Sequence, residues 1–367
     1  MIKVLHILTD SNIGGAGHTL LALFDRENGI DRNEFDITVA VPINAKIKPD
    51  LDNLGINCIE LPHLAERSFS SKAIKVLLAE MKKLKPQIVH THASLSGRIA
   101  ARRYGKCKIV HTRHSVFDVP GWKKKFPVKQ LHGVANNCLS DAIIAVSPAA
   151  ESNLRDLGTR KKKIHVIYNG TAPMREFSPT EIAAFREKYG IPDNAFVLAQ
   201  IARLTKVKGH DYVLDAIKNL PNVYVLMAGA GELRPHLEAR IKNEGITNAK
   251  LLGFVTETEE IFAVMDVQLS ASYGTEATSL ALLQGMSIGK PAIVTNFGGN
   301  PYVITHNENG LLIPTCNSHA LELAISLLMN DPELQKNISE KARKIYAERF
   351  TVDEMVQKTQ RLYKDLL

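Results

Sequence analysis

Short runs rich in β-branched residues alternate with longer amphipathic stretches, and the whole alternation occurs twice. KVLHIL (3–8), DITVAVP (36–42), QIVHTH (87–92), KIVHTRH (108–114), AIIAVS (142–147) and IHVIYNG (164–170) read as buried strands. Between them lie stretches such as SKAIKVLLAEMKKLK (71–85), whose apolar residues recur every three or four positions, the helical period. Near-continuous apolar strands separated by helices require a parallel sheet covered on both faces. After the turn-rich NGTAPMREFSPTE (169–181) the pattern restarts with FVLAQIA (196–202), VYVLMAG (223–229), AKLLGF (249–254), VQLSAS (267–272), PAIVTN (291–296) and GLLIP (310–314). This predicts an α/β protein of two doubly wound, Rossmann-like domains, over 1–173 and 174–350. The tail from 331 onward reads as helical with a break at Phe350–Thr351.

Composition narrows the class. Apolar residues make up 45% and charged residues 23% of the chain, as in a soluble globular protein. The opening MIKVLHILTD is too soon interrupted to read as a signal peptide, and no apolar run approaches the roughly 18–20 residues that span a bilayer. The four cysteines, Cys58, Cys107, Cys138 and Cys316, show no CxxC spacing and read as reduced thiols of a cytoplasmic protein. The net charge of +8 is uneven: residues 1–173 hold 26 Lys and Arg against 15 Asp and Glu, and the remainder 20 against 23. The excess sits in RIAARRYGKCK (98–108), GWKKKFPVK (121–129) and TRKKK (159–163), which read either as solvated surfaces or as the footprint of an anionic partner.

In open parallel sheets, ligands bind where strands end and helices begin. SNIGGAGHTLL (11–21) follows the first strand, and its glycines, Gly15 and Gly17 among them, admit close backbone approach at a helix N-terminus. It lacks the G-x-G-x-x-G spacing of a nicotinamide-cofactor site. IARLTKVKGHDYVL (201–214) places Arg203 and Lys208 after the first strand of the second half, a pairing suited to a diphosphate. MAGAGEL (227–233) brings Gly229 to another strand end. In SASYGTEATSLALLQGMSIGKP (270–291), Glu276 lies in a loop before Thr278, Ser279 and Leu280, which open an apolar helix and offer amide and hydroxyl groups to a phosphate. Gln284 is expected two helical turns further along.

These segments together resemble retaining glycosyltransferase family 4. Its signature has two glutamates eight positions apart before an A-M-A-x-G-x-P-like segment, and Glu276 to Pro291 resembles it. Gly14-Gly15-Ala16-Gly17 resembles the family's N-terminal glycine loop, His114 in VHTRHS its histidine after a strand, and IYNG (167–170) its P-N-G turn. Arg203 and Lys208 match its R-L-x-x-x-K-G, and ENGLLIP (308–314) its closing segment. The likeness runs through essentially the whole chain.

The resemblance implies the GT-B fold, two Rossmann-like domains facing across a cleft, with the last helix (351–367) packing back on the first domain. It implies a nucleotide-sugar donor on the C-terminal domain, a UDP-sugar before a GDP-sugar, with no cofactor and no metal. Arg203 and Lys208 would hold the diphosphate, with Thr278, Ser279 and Leu280 adding contacts. Glu276 would hold sugar hydroxyls, Gln284 the ribose, and Gly229 the nucleotide side. Gly15 and Gly17 would let the backbone approach a ligand, and His114 would lie near the reaction centre. His114, Glu276, Arg203 and Lys208 are therefore the expected catalytic set. Departures are Gln284, where the family usually has its second glutamate, and Tyr302, where it often has another.

The basic first half suits a lipid-linked or polysaccharide acceptor at the inner face of the cell membrane. Trp122 and Phe126 interleaved with Lys123, Lys124, Lys125 and Lys129 would form a surface for anionic lipid. No nucleic-acid recognition motif is present. Two other readings remain: a sugar-nucleotide epimerase, for which no convincing acidic pair is found, and a non-catalytic nucleotide-binding scaffold, for which Gln284 is the best argument.

Overall fold

The computed structural model describes residues 1–65, 69–117 and 119–367, with the side chain of Lys124 outside the described residues. The chain divides into two compact units, Met1–Thr171 with Phe350–Leu367, and Ala172–Arg349.

The first unit runs β1 (Ile2–Leu8), α1 (Gly15–Leu23), β2 (Phe35–Pro42), α2 (Lys48–Asn53), β3 (Asn57–Leu61) and α3 (Ser71–Leu84). It continues with β4 (Ile88–His92), α4 (Leu95–Tyr104), β5 (Lys108–Arg113), α5 (Val128–Leu139), β6 (Ala142–Ala145), α6 (Pro148–Asp156) and β7 (Ile164–Val166). The second unit runs α7 (Pro179–Tyr189), β8 (Phe196–Ile201), α8 (His210–Ile217), β9 (Val223–Ala228), α9 (Arg234–Asn243) and β10 (Ala249–Gly253). Then come α10 (Glu259–Val264), β11 (Val267–Ser270), α11 (Leu280–Ser287), β12 (Ala292–Thr295), α12 (Asn300–Val303), β13 (Leu311–Ile313), α13 (Ser318–Asn330) and α14 (Pro332–Arg349). A last helix, α15 (Val352–Leu366), belongs to the first unit.

Among the described residues the first unit has one sheet, ordered β3-β2-β1-β4-β5-β6-β7, and the second one ordered β10-β9-β8-β11-β12-β13. Every pairing is parallel. The strands are buried on both sides because each face carries its own core. Val4, Val39, Ile88 and Val110 pack on one face of the first sheet, while Leu5, Ala40, Val89 and Ile109 pack on the other. The second sheet divides likewise, with Leu198 and Val225 on one face and Val197 and Leu226 on the other.

α15 packs on the first sheet through an apolar stripe of Val352, Met355, Val356, Leu362 and Tyr363. Thr351 caps it by accepting from Glu354 N–H. Burying side chains such as Leu362 contributes about 2 kcal/mol each, enough to hold a helix that propensity alone would leave marginal.

In each sheet the strand order reverses once, between β1 and β4 and between β8 and β11. Ligand sites of open parallel sheets lie outside the carboxyl ends of the strands at such reversals. β1 leads to Gly15, β4 ends on His92, β8 leads to Arg203, and β11 leads to Glu276.

Candidate active site

Four loops of the second unit interlock, after β8, β9, β11 and β12. After β8 the chain turns through Lys206–Lys208 into α8. Lys208 Nζ reaches the loop after β11, lying 2.7 Å from Glu276 Oε2 and 3.2 Å from Thr275 O. Ser272 Oγ donates to the same Glu276 oxygen at 3.0 Å. Glu276 is buried, and its backbone carbonyl accepts from Gly299 N–H at 3.0 Å. Gly298 has φ +58°, and a Cβ there would fall 2.1 Å from Glu276 O, so only glycine fits. Gly229, with φ +152°, approaches the protein's own backbone: a Cβ there would fall 1.9 Å from Ala202 O. Its role in the fold is to let the β8 and β9 loops touch.

Arg203 is exposed and has no side-chain partner among the described residues. α11 begins at Leu280, with Ser279 as its cap accepting from Leu282 N–H at 3.3 Å. Thr278 is buried beside that start. Gln284 is half-buried and lies about one turn into α11, not two turns from Glu276 along one helix, because Glu276 precedes the helix. Its side-chain amide has no hydrogen bond among the described residues, whereas its carbonyl accepts from Ser287 Oγ. The second unit thus gathers Lys208, Glu276, Thr275 and Ser272 by direct contact, with Arg203 and the α11 N-terminus at the same strand ends.

In the first unit, Gly15 starts α1 beside open space, while Gly17 is buried against Ile13 and Ile47. His114 follows β5 and joins a row of buried rings that sequence reasoning missed. His114 Nε2 is 2.9 Å from His92 Nδ1, and His92 Nε2 is 3.1 Å from His6 Nδ1. Tyr363 Oη lies 3.3 Å from His6 Nε2 and 2.5 Å from His90 Nδ1, and His90 Nε2 contacts Thr112 Oγ1 at 2.6 Å. Ligand atoms of His6, His90 and His92 lie within 4.8 Å of one another, the one grouping among the described residues with a spacing suited to a metal ion. Their ring nitrogens are already engaged with one another, with His114 and with hydroxyls.

Burial pushes the His114 imidazole down to about 4, and burial with histidine neighbours lowers His6, His90 and His92 well below the usual histidine value. All four are therefore neutral near pH 7. A neutral imidazole carries one N–H, so every contact in the row fixes the proton positions of the next. Among the described residues, His114 Nδ1 is the row's buried, unpartnered end.

The surface residues are elsewhere in this unit. Trp122 is 61% and Phe126 80% exposed, and Lys125 is exposed too. Lys123 Nζ lies 5.2 Å from the Trp122 ring centroid, and Lys123 and Lys129 are half-buried. α5 adds exposed Leu131 and Val134, which composition did not flag. Among the described residues, no helix is long and apolar enough to cross a membrane.

Residues 181–345 match the family described as glycosyl transferases group 1, and residues 14–175 match glycosyltransferase family 4. The two matches take in nearly all of the chain and meet where its two units meet. The chain belongs to the group 1, family 4 glycosyltransferases.

This glycosyltransferase is 29% identical over 287 residues to the putative glycosyltransferase EpsD of Bacillus subtilis, covering 73% of this chain and 74% of that one. It is 27% identical to an Escherichia coli UDP-Gal:alpha-D-GlcNAc-diphosphoundecaprenol alpha-1,3-galactosyltransferase, covering 100% of this chain and 97% of that one. Among solved structures, HepE from Anabaena in complex with UDP-glucose superposes with a TM-score of 0.86 at 21% identity, over 100% of both chains. Sucrose-phosphate synthase from Thermosynechococcus elongatus gives 0.79 at 18%, over 100% of this chain and 99% of that one. These likenesses establish two parallel-sheet α/β domains of the GT-B class.

Proposed function

We propose that this glycosyltransferase moves a sugar from a UDP-sugar to an acceptor on a lipid diphosphate or a growing polysaccharide, at the inner face of the cell membrane. The sugar keeps its anomeric configuration, and no metal ion or cofactor takes part. The observation that carries the donor side is the buried Lys208–Glu276 pair, with the exposed Arg203 and the start of α11 at the same strand ends. The named substrates of the Escherichia coli relative, a UDP-sugar and a diphosphoundecaprenol-linked sugar, support the choice of donor and acceptor class.

The chemistry follows from charge. Lys208 has three N–H donors; two are spent on Thr275 O and Glu276 Oε2, leaving one for a phosphate oxygen. Arg203 presents a planar fork to the same diphosphate, and the α11 amides add partial positive charge. These groups stabilise the leaving diphosphate as its charge grows, the contribution a metal ion would otherwise make. Glu276, held by Lys208 and Ser272, presents its remaining acceptor capacity to hydroxyls of the transferred sugar. Retention follows when the acceptor attacks the face the diphosphate leaves and the departing phosphate takes the acceptor's proton. His114, half-buried at the end of the histidine row, stands on the acceptor side of the reaction.

The test is transfer from UDP-, GDP- and ADP-sugars in the presence of EDTA, with the anomeric proton coupling of the product read by NMR. UDP-sugar turnover that survives EDTA and gives the donor's anomeric configuration is expected. Inversion, or a rate that returns only with divalent metal, would sink the reading.

A further inference from the structure

Side chains alternate between the two faces of β5. Val110 and Thr112 lie on the face of His90 and Tyr363, whereas Ile109, His111 and Arg113 lie on the other, with α4. On α4, Arg102 and Arg103 are exposed, but Arg98, one turn earlier, is only 9% exposed. Arg98 and Arg113 lie on the His111 side of the sheet, near enough for both charges to act on that ring and for Arg113 to act on Arg98. Arg98 Nη1 donates to Asn136 Oδ1 on α5 at 3.0 Å, and the Arg113 guanidinium lies 4.3 Å from the Phe117 ring centroid. Among the described residues, the Nε atoms of both arginines are buried without a partner.

Among the described residues, neither arginine has a carboxylate partner. Burial, then repulsion from Arg113, lowers Arg98 to about 10, and burial lowers Arg113. His111 is held neutral by burial and by both cations. Two withdrawn cations with no counter-charge among the described residues oppose folding, and a fold meets that cost where an anion completes the group on binding. Both are arginines, whose planar forks bind phosphate oxygens in pairs. Arg113, the less buried of the two, gives access from the carboxyl end of β5, one residue before His114.

We propose that Arg98 and Arg113 form an anion subsite that binds a phosphate group of the acceptor. It rests on the glycosyl-transfer reading above and goes further by assigning the acceptor's phosphate the residues that anchor it. A dianionic phosphate matches the two cations better than a single carboxylate.

The experiment is thermal unfolding of the full chain at saturating UDP, with and without millimolar pyrophosphate. Wild type is expected to gain about 3 °C from pyrophosphate. Arg98→Gln and Arg113→Gln should each lose that gain, keep the shift due to UDP, and unfold without ligand no lower than wild type, since each removes an unanswered charge. Arg113→Lys, which keeps charge but loses the fork, should retain only part of the gain. A pyrophosphate shift that survives both Gln variants, or none in wild type, overturns the proposal. So does a ligand-free midpoint lowered by several degrees in both, which would make the arginines structural. Farnesyl diphosphate in place of pyrophosphate separates the sources: a larger shift assigns the phosphate to a lipid, and an equal one to a soluble acceptor. If UDP fails to shift wild type, the donor reading falls while the arginine comparison still decides this one.

Discussion

Lys208 Nζ lies 2.7 Å from Glu276 Oε2, with the side chains only 15% and 9% exposed. Each neutralises the other out of water, so removing one leaves a buried charge alone. Lys208→Ala should cost about 3 kcal/mol of stability and abolish the UDP-dependent rise in melting temperature. The double variant Lys208→Met/Glu276→Leu removes both charges and should recover much of the stability without the UDP response. Denaturant unfolding with and without UDP reads both outcomes. A single variant that keeps the UDP shift would remove Lys208 from the donor site.

Gln284 stands where the family usually has a glutamate, and its half-buried amide has no hydrogen-bond partner among the described residues. A carboxamide carbonyl accepts a hydrogen bond from a ribose hydroxyl, but without the gain of a charged acceptor. Gln284→Ala is expected to weaken UDP binding by about 1 kcal/mol, or roughly fivefold, the worth of one neutral hydrogen bond. Gln284→Glu should tighten it. Calorimetric titration with UDP checks both, and unchanged affinity in the Ala variant would exclude a ribose contact.

The two-sheet plan was legible because fully buried parallel strands are nearly pure apolar runs. The edge strand β3, Asn57–Leu61, was not, because it is short, mixed and half-exposed. Lys208 and Glu276 could be placed at strand ends from their spacing, but their direct contact joins positions 68 apart and needs the fold. The histidine row left one readable trace, His90 and His92 on alternate residues of a strand. Its other members come from β1, the residue after β5, and α15, and no local pattern announces Tyr363 273 positions away from His90. RIAARRYGKCK read as one basic cluster, yet the helical period buries Arg98 and exposes Arg102 and Arg103.

Buried neutral histidines make stability depend on pH. Burial lowers His114 and His210 to about 4, and lowers His6, His90, His92 and His111 as well. In the unfolded chain these groups titrate near the ordinary value of about 6.5. Between the two values the unfolded state binds more protons, so stability is full above about pH 6.5 and falls as pH drops toward 4. Each histidine contributes up to about 1.4 kcal/mol per pH unit in that window. Urea unfolding at pH 7.5 and 5.5 should show a marked loss at the lower pH, and His210→Leu should reduce it. A flat profile would mean that these rings are not held neutral.

Tyr363 links α15 to the histidine row through His6 and His90. Its hydroxyl donates to one ring and accepts from the other, so it sets which nitrogen of each carries the proton. Tyr363→Phe keeps the packing but leaves both ring nitrogens short of a partner, at about 1–3 kcal/mol. Because the row ends at His114, the variant should also slow transfer while leaving UDP affinity unchanged. Steady-state rates beside UDP titration test this. An unchanged rate in a folded variant would confine the row to a structural role.

Trp122 and Phe126 are exposed beside Lys123, Lys125 and Lys129, and Leu131 and Val134 extend the apolar surface along α5. An apolar patch flanked by lysines fits an anionic lipid surface, with rings entering the headgroup layer and ammonium groups meeting phosphates. Vesicles with acidic lipid should bind the protein at low salt and release most of it near 1 M, where the screening length falls to about 3 Å. Trp122→Ala/Phe126→Ala should weaken binding at every salt concentration, because it removes the apolar part. Lys125→Ser/Lys129→Ser should instead flatten the salt dependence. Equal binding to neutral and anionic vesicles would show that the lysines do not select the surface.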